Sequence, residues 1–197
     1  MMGTLWFVTG GARSGKSRFA EQRAAAEYEH GRPVVYIATM EPGDEELTAR
    51  VIRHRIERPT TWHTVEAPLD LTTALRDAPA NACVLIDCIS LWVANILLTE
   101  IGEPDPKATQ ATPMIAAELE RRVTTSIDEI IISTASREGP TIAVSNEVGS
   151  GVVPPNVLGR IYRDLLGIAN QRLSTAAKRT WLIVAGRALE LPPPHEQ

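Results

Sequence analysis

The amino-acid sequence predicts a three-layer α/β fold, in which helices cover both faces of a mostly parallel sheet. Short apolar runs, at residues 5–9, 34–39, 84–87, 141–145 and 181–185, alternate along the chain with longer stretches of helical pattern. Nearly all of these runs lack polar alternation, which is typical of parallel strands that are buried on both faces. The length of 197 residues fits one domain, predicted here over 1–197 with a mobile tail from about residue 191.

Helices are predicted between the strands at residues 16–29, 45–57, 69–77, 89–99, 115–137 and 157–177. The segment 102–113 contains three prolines among polar residues. We predict a loop there rather than a domain boundary, because strands are expected on both sides of it.

Charge and cysteine content narrow the functional class. The net charge of -4 and the pI near 5.6 argue against a surface that neutralises a nucleic-acid backbone, so we expect a small ligand and no nucleic acid. Cys83 and Cys88 lie in an apolar run without metal-ligand spacing, which indicates reduced core residues of a cytoplasmic protein. The same run, residues 83–98, is too short and too often interrupted by polar residues to predict a membrane span.

A phosphate-binding loop follows the first predicted strand. The pattern G-x-x-x-x-G-K-[ST] is matched by Gly10, Gly11, Ala12, Arg13, Ser14, Gly15, Lys16 and Ser17. Its backbone N–H groups and the positive end of the following helix would converge on phosphate oxygens. Lys16 is expected to reach the β- and γ-phosphates, and Ser17 to bind Mg²⁺. The strand before and the helix after argue against an incidental glycine-rich turn, and they predict a P-loop NTPase fold of the RecA-like kind.

Asp87 ends an apolar strand, where a P-loop enzyme needs a second group that organises Mg²⁺. A structural alternative is that Asp87 caps the helix predicted to begin near residue 89. The phosphate loop favours the metal role.

A basic segment surrounds one histidine between the second strand and Trp62. Arg50 and His54 are i, i+4 neighbours on the helix predicted there, and three more arginines are close in sequence: Arg53, Arg55 and Arg58. A neutral imidazole held among guanidinium groups suits nucleophilic attack on phosphorus. The residues alone leave open a solvated basic helix face with an incidental histidine.

Together these motifs resemble the bifunctional adenosylcobinamide kinase / adenosylcobinamide-phosphate guanylyltransferase family of cobalamin biosynthesis. Besides the phosphate loop, the resemblance includes residues 36–39, 50–55, 58–59, 62, 64–66, 87–88, 92, 95, 146–154, 167 and 170–171. It therefore covers nearly the whole chain, and this ordered set is much more specific than a phosphate loop alone.

The resemblance implies two reactions. The enzyme would phosphorylate adenosylcobinamide with ATP or GTP, and would then transfer GMP from GTP to adenosylcobinamide phosphate through a guanylylated histidine, which matches His54. It also implies Mg²⁺, these corrinoid substrates and a homotrimer. Nucleotide-contacting positions of the family, besides the loop, match Ala38, Thr39, Met40, Arg55, Ile56, Glu57, Arg58, Glu66 and Asp87.

Some roles stay open at this point. Glu66 could anchor a guanine edge or a ribose hydroxyl, or it could simply face solvent. The run 146–149 follows an apolar strand, so we expect it to line the corrinoid or the nucleotide site. An ordinary P-loop small-molecule kinase, with no covalent GMP on His54, is the main alternative. A nucleotide-gated binding module is a second, although the acidic pI does not suggest a basic groove.

Overall fold

The structure is a computed structural model that describes residues 3–40, 59–101 and 113–194. Within these ranges the chain forms seven strands and five helices. The strands are β1 (Leu5–Gly10), β2 (Val34–Ala38), β3 (His63–Glu66), β4 (Cys83–Asp87), β5 (Thr141–Asn146), β6 (Arg179–Val184) and β7 (Arg187–Leu191). The helices are α1 (Lys16–Glu29), α2 (Leu71–Asp77), α3 (Ile89–Ile101), α4 (Pro113–Ala135) and α5 (Val157–Ala176).

All seven strands join one sheet in the order β3-β2-β4-β5-β1-β6-β7. Every neighbouring pair is parallel except β6 and β7, which form an antiparallel hairpin. One face of the sheet packs against α1, whose Ala20 and Ala24 are fully buried, and the other packs against α2 to α5. The predicted three-layer fold with a mostly parallel sheet is thus confirmed, and because all these strands share one sheet we propose a single domain.

Two strands were absent from the prediction, and both lie at the edges of the sheet. β3 carries two exposed and two half-buried residues, and four of the five residues of β7 are exposed. Neither presents the continuous apolar run by which the buried strands are recognised. The predicted helix 45–57 lies outside the described residues, as does the predicted loop 102–113 except for Pro113. That proline is the first residue of α4 rather than the end of a loop, since proline is tolerated in the first turn of a helix.

The prediction for the two cysteines agrees with the structure. Cys83 and Cys88 are free and buried, as predicted, and burial raises the pKa of Cys83 to about 12 and that of Cys88 to about 11. Both thiols are therefore protonated and unreactive at neutral pH. None of the helices in the described part of the chain combines the length and apolar character needed to cross a membrane.

Candidate nucleotide site

The carboxyl ends of the parallel strands bring the predicted site residues to one edge of the sheet. In register, Ala38 at the end of β2 pairs with Glu66 of β3 on one side and with Asp87 of β4 on the other. Farther along the edge, Asn146 at the end of β5 pairs with Gly10 of β1. Open α/β sheets bind ligands at this edge, because the loops that leave parallel strands converge there.

The phosphate loop connects β1 to α1 in a conformation that depends on its glycines. Gly15 precedes the helix with φ at 96°, a left-handed conformation that favours glycine. An ideal Cβ on Gly10 would lie only 2.5 Å from the carbonyl oxygen of Ile183 and 2.8 Å from Ser14 Oγ, so no side chain fits there. Lys16 begins α1, and its Nζ donates to the Gly11 carbonyl at 3.3 Å, which places the ammonium group over the loop.

The β6–β7 turn supports this loop from the side, which the sequence did not suggest. Gly186 donates its N–H to the carbonyl of Ser14 at 2.8 Å, and an ideal Cβ on Gly15 would lie 3.4 Å from Gly186 Cα. Ala185 and Gly186 both have positive φ, at 49° and 76°, and they link the two strands as a two-residue turn. The hairpin thus contacts the phosphate loop at Ser14 and Gly15, just before α1.

Asp87 is held from the neighbouring strand. The hydroxyl of the buried Tyr36 donates to Asp87 Oδ2 at 2.7 Å, so the carboxylate has a set orientation while its residue stays half-buried at the sheet edge. A cis peptide bond links Asp87 to Cys88. The hydrogen bond from Tyr36 joins β2 to β4, and the end of β4 holds Asp87 at the sheet edge, where the metal role was predicted.

Thr39, predicted to contact nucleotide, is completely buried. Its hydroxyl accepts the Cys88 N–H at 2.7 Å and donates to the Cys88 carbonyl at 2.8 Å, while its own N–H donates to the Asp87 carbonyl. The side chain is therefore engaged within the protein, and Thr39 ties the end of β2 to the end of β4.

Asn95 and Trp92 on α3 add hydrogen bonds to the loops beside Thr39. Asn95 Nδ2 donates to the carbonyls of Thr39 and Pro68, at 2.8 and 3.0 Å, and the buried Trp92 donates from Nε1 to the Leu69 carbonyl at 2.8 Å. The loops that follow β2 and β3 are thereby tied to α3. The sequence did contain a signal for this role, since Asn95 is the one polar residue in the run 91–98.

Ala38, Met40 and Glu66 lie on the other side of Asp87 from the phosphate loop. Ala38 and Met40 are half-buried and Glu66 is exposed. Glu66 lies on β3, which is separated from β1 by four strand spacings. Because neighbouring strands are about 4.8 Å apart, Glu66 lies roughly 19 Å from the end of β1. A single nucleotide that contacted both ends would have to extend along the sheet edge, past Asp87.

Several predicted site residues fall in the part of the chain outside the described residues. They are the proposed nucleophile His54, the nucleotide-binding residues Arg55, Ile56, Glu57 and Arg58, and the neighbouring Arg50 and Arg53. Their roles remain predictions. Among the described ranges, no group of three or more His, Cys, Asp or Glu side chains gathers as a metal site.

Comparison with known proteins identifies the family. The model of the cobinamide kinase / cobinamide phosphate guanyltransferase family matches residues 6–191. This chain belongs to that family.

Named relatives of the family align over 93% of this chain. The bifunctional adenosylcobalamin biosynthesis protein CobU of Salmonella typhimurium is 38% identical and is covered over 97% of its length. CobP of Pseudomonas aeruginosa, with the same description, is 39% identical over 95% of its length, and CobU of Escherichia coli K12 is 37% identical over 97%. The predicted resemblance is confirmed, and with it the class of enzyme: a cobinamide kinase and cobinamide phosphate guanylyltransferase.

Proposed function

We propose that this enzyme phosphorylates adenosylcobinamide with ATP or GTP, and then transfers GMP from GTP to adenosylcobinamide phosphate through guanylylated His54. The products of the second reaction are adenosylcobinamide-GDP and pyrophosphate. The observation that carries the proposal is the phosphate loop, aligned with Asp87 on one sheet edge in a chain that belongs to this family. The corrinoid substrate agrees with the names of the three relatives.

The phosphate loop would hold the nucleotide through its N–H groups, the amino end of α1 and Lys16. Lys16 Nζ lies over the loop at Gly11, and from there it would neutralise the phosphate oxygens on which charge develops. The β6–β7 turn would keep the loop in this shape, since Gly186 is bonded to the Ser14 carbonyl. These contacts serve any reaction that draws on a nucleotide bound there.

Residues of the site also fit Mg²⁺. Ser17 offers a hydroxyl and Asp87 a carboxylate, which are the oxygen ligands that Mg²⁺ takes together with substrate phosphates and water. Tyr36 orients the Asp87 carboxylate by its hydrogen bond, as the partners of a metal ligand commonly do. When bound, the ion would supply positive charge to the phosphoryl groups.

His54 would act in the second reaction. An imidazole nitrogen attacks the α-phosphorus of GTP, an N–P bond forms, and the bond to the β-phosphate breaks with release of pyrophosphate. A phosphate oxygen of adenosylcobinamide phosphate then attacks the same phosphorus, the N–P bond breaks, and the imidazole is regenerated. The arginines near His54 in sequence would balance the charge of the phosphates.

The decisive experiment is to incubate the purified protein with Mg²⁺ and GTP labelled at the α-phosphorus. We expect an acid-labile label on His54, as for a phosphoramidate, and its loss in His54→Ala with much of the kinase activity retained. Lys16→Ala is the companion variant, in which we expect both reactions to fall. A protein that phosphorylates adenosylcobinamide but takes up no label would instead be an ordinary P-loop kinase.

Two further proposals come from the resemblance. We infer that the chain assembles as a homotrimer, which sedimentation equilibrium of the purified protein would test. We also infer a cytoplasmic location, with which two free, buried cysteines are compatible.

A further inference from the structure

Asn146 lies at the end of the strand between Asp87 and the phosphate loop, and the function proposed above gives it no role. It is the last residue of β5, and β5 lies between β4, which ends at Asp87, and β1, which leads into the phosphate loop. In register, Asp87 pairs with Val144 and Gly10 pairs with Asn146. Asn146 therefore lies beside Gly10, the first residue of the loop. It is two residues, or about 7 Å, beyond Val144, the residue of β5 that pairs with Asp87.

The side chains of Asn146 and Asp87 lie on the same face of the sheet. Ile142 and Val144 of β5 pack into the core on the α1 side, so the alternation of the strand continues onto that side at Asn146. Cys83 and Leu85 establish the same alternation for Asp87 on β4. The amide and the carboxylate thus flank the face on which the phosphate loop turns into α1.

The main chain at Asn146 is held from both sides. Its carbonyl accepts a hydrogen bond from Asn170 Nδ2 of α5 at 2.9 Å. The next N–H, of Glu147, donates to the Gly10 carbonyl at 3.0 Å. Asn170 is buried, and the two contacts together fix the strand end relative to the phosphate loop.

The side chain of Asn146 carries a buried polar atom that these contacts do not satisfy. Asn146 Oδ1 has no hydrogen-bond partner among the described residues, although the residue as a whole is half-buried. A buried acceptor without a partner is costly, and such an atom calls for a water, an ion or a ligand group to complete it. Beside the phosphate loop, that group must carry a hydrogen-bond donor.

We propose that Asn146 is a catalytic residue of the kinase step, an inference that rests on the function proposed above. Its Oδ1 accepts a hydrogen bond from the aminopropanol hydroxyl of adenosylcobinamide, and its Nδ2 donates to an oxygen of the γ-phosphate. A primary amide has one acceptor and one donor side by side, so it can bridge the two groups that react. A carboxylate at the same place would repel the phosphate.

The amide transfers no proton itself and acts by alignment. The hydroxyl oxygen forms a bond to the γ-phosphorus, and the bond from that phosphorus to the bridging oxygen breaks, so that the nucleoside diphosphate leaves with the electron pair. The hydroxyl proton passes to a phosphate oxygen of the product. Guanylyl transfer takes place at the α-phosphorus, so it does not use this alignment.

The test measures the two reactions separately in Asn146→Ala and Asn146→Asp. The kinase assay supplies adenosylcobinamide and ATP, and the transfer assay supplies prepared adenosylcobinamide phosphate and GTP. In both variants we expect kcat of the kinase step to fall about 10²-fold, as for loss of one transition-state donor. In Asn146→Ala the KM for ATP should stay within about threefold, because the phosphate loop still holds the nucleotide, and guanylyl transfer within about tenfold, because it takes place at the α-phosphorus. In Asn146→Asp the KM for ATP should rise as well, because the carboxylate repels the phosphate. Asn81→Ala is the matched control, since it removes the same amide from an exposed loop before β4 and should change neither rate.

Three results would overturn the proposal. One is a kinase kcat within about threefold of the unmodified enzyme in both variants, and another is an equal fall of both reactions. The third is a rise in KM for ATP with kcat unchanged, which would indicate uniform binding rather than catalysis. If Asn146→Ala does not fold, as judged by thermal unfolding, Asn146→Asp decides alone because it keeps the size of the side chain. The proposed function itself fails separately, in the unmodified enzyme, if it phosphorylates no adenosylcobinamide.

Discussion

Replacement of Gly10 by alanine tests whether the close approach of β6 shapes the phosphate loop. The new Cβ would lie 2.5 Å from the Ile183 carbonyl oxygen, about 0.5 Å inside the closest approach that Cβ atoms show. Ile183 is the register partner of Gly10 in the sheet, so its backbone cannot move aside without breaking strand pairing. Overpacking of this kind costs about 1–3 kcal/mol, and we expect the free energy of unfolding of Gly10→Ala to fall by that amount.

The same clash should impair nucleotide chemistry. Relief of the contact requires the loop to move by about 0.5–1 Å, and a displacement of that size at a reacting group costs roughly 10²-fold in rate. We therefore expect the kinase kcat/KM of Gly10→Ala to fall about 10²-fold. Urea unfolding without nucleotide measures the stability, and initial rates with adenosylcobinamide and ATP measure the activity.

Gly11→Ala is the matched control for stability. It adds the same methyl group to the same loop, but no heavy atom beyond Gly11 and its two chain neighbours lies within 4 Å of the new Cβ. We expect its free energy of unfolding to stay within about 0.5 kcal/mol of the unmodified protein. If Gly10→Ala and Gly11→Ala prove equally stable, the contact with Ile183 does not constrain the loop and the reasoning is wrong.

Two further predictions concern the frame that carries the site. Arg137 is buried, and its guanidinium group donates to four backbone carbonyls around the end of α2. We therefore expect Arg137→Ala to lower the free energy of unfolding by about 3 kcal/mol and Tm by about 6–12 °C. Arg137→Lys should recover part of this loss. A fall in Tm below about 2 °C would contradict this role. The Asp70 carboxylate caps α2 by accepting the Thr73 N–H at 3.0 Å, which lowers the pKa of Asp70, and Asp70→Ala should cost about 1 kcal/mol at neutral pH. Because folding lowers the pKa of Asp70, the stabilisation by the carboxylate is fully present at pH values above the ordinary carboxyl pKa and is lost as pH falls through the lowered pKa. In Asp70→Asn the amide caps the helix without titrating, so its contribution to stability should not change over that pH range.

The central strands and the helices could be predicted from sequence because their signals are local. Buried parallel strands such as β1 and β4 are uninterrupted apolar runs, and α1 begins at Lys16 and ends at Glu29 as predicted, since the loop before it defines its start. The edge strands β3 and β7 were missed for the opposite reason. Their side chains are largely exposed, and what makes them strands is pairing with β2 and β6, which is not a property of their own residues.

In the candidate site, too, the features with a local sequence signal were predicted and the contacts between distant residues were not. The phosphate loop and Asp87 carry their chemistry in residue type and spacing, and so they were predicted with the strands that hold them. The contacts that arrange them were not, because Tyr36, Thr39 and Gly186 act on residues distant in sequence: Asp87, Cys88 and Ser14. Such contacts depend on the order of the strands, which no local pattern specifies.

The order of the strands also explains why the site needs these contacts. β5 separates the strand that ends in Asp87 from the strand that leads into the phosphate loop, so no backbone hydrogen bond joins those two directly. Instead, Glu147 bonds the end of β5 to Gly10, and Thr39 joins β2 to β4. The loops after β5 and β2 are therefore each fixed to a neighbouring strand end in the protein itself, which lowers the reorganisation required when a nucleotide binds. On this argument, weakening one of these ties should reduce the rate through the geometry of its neighbours, even though the tie itself does not touch the substrate.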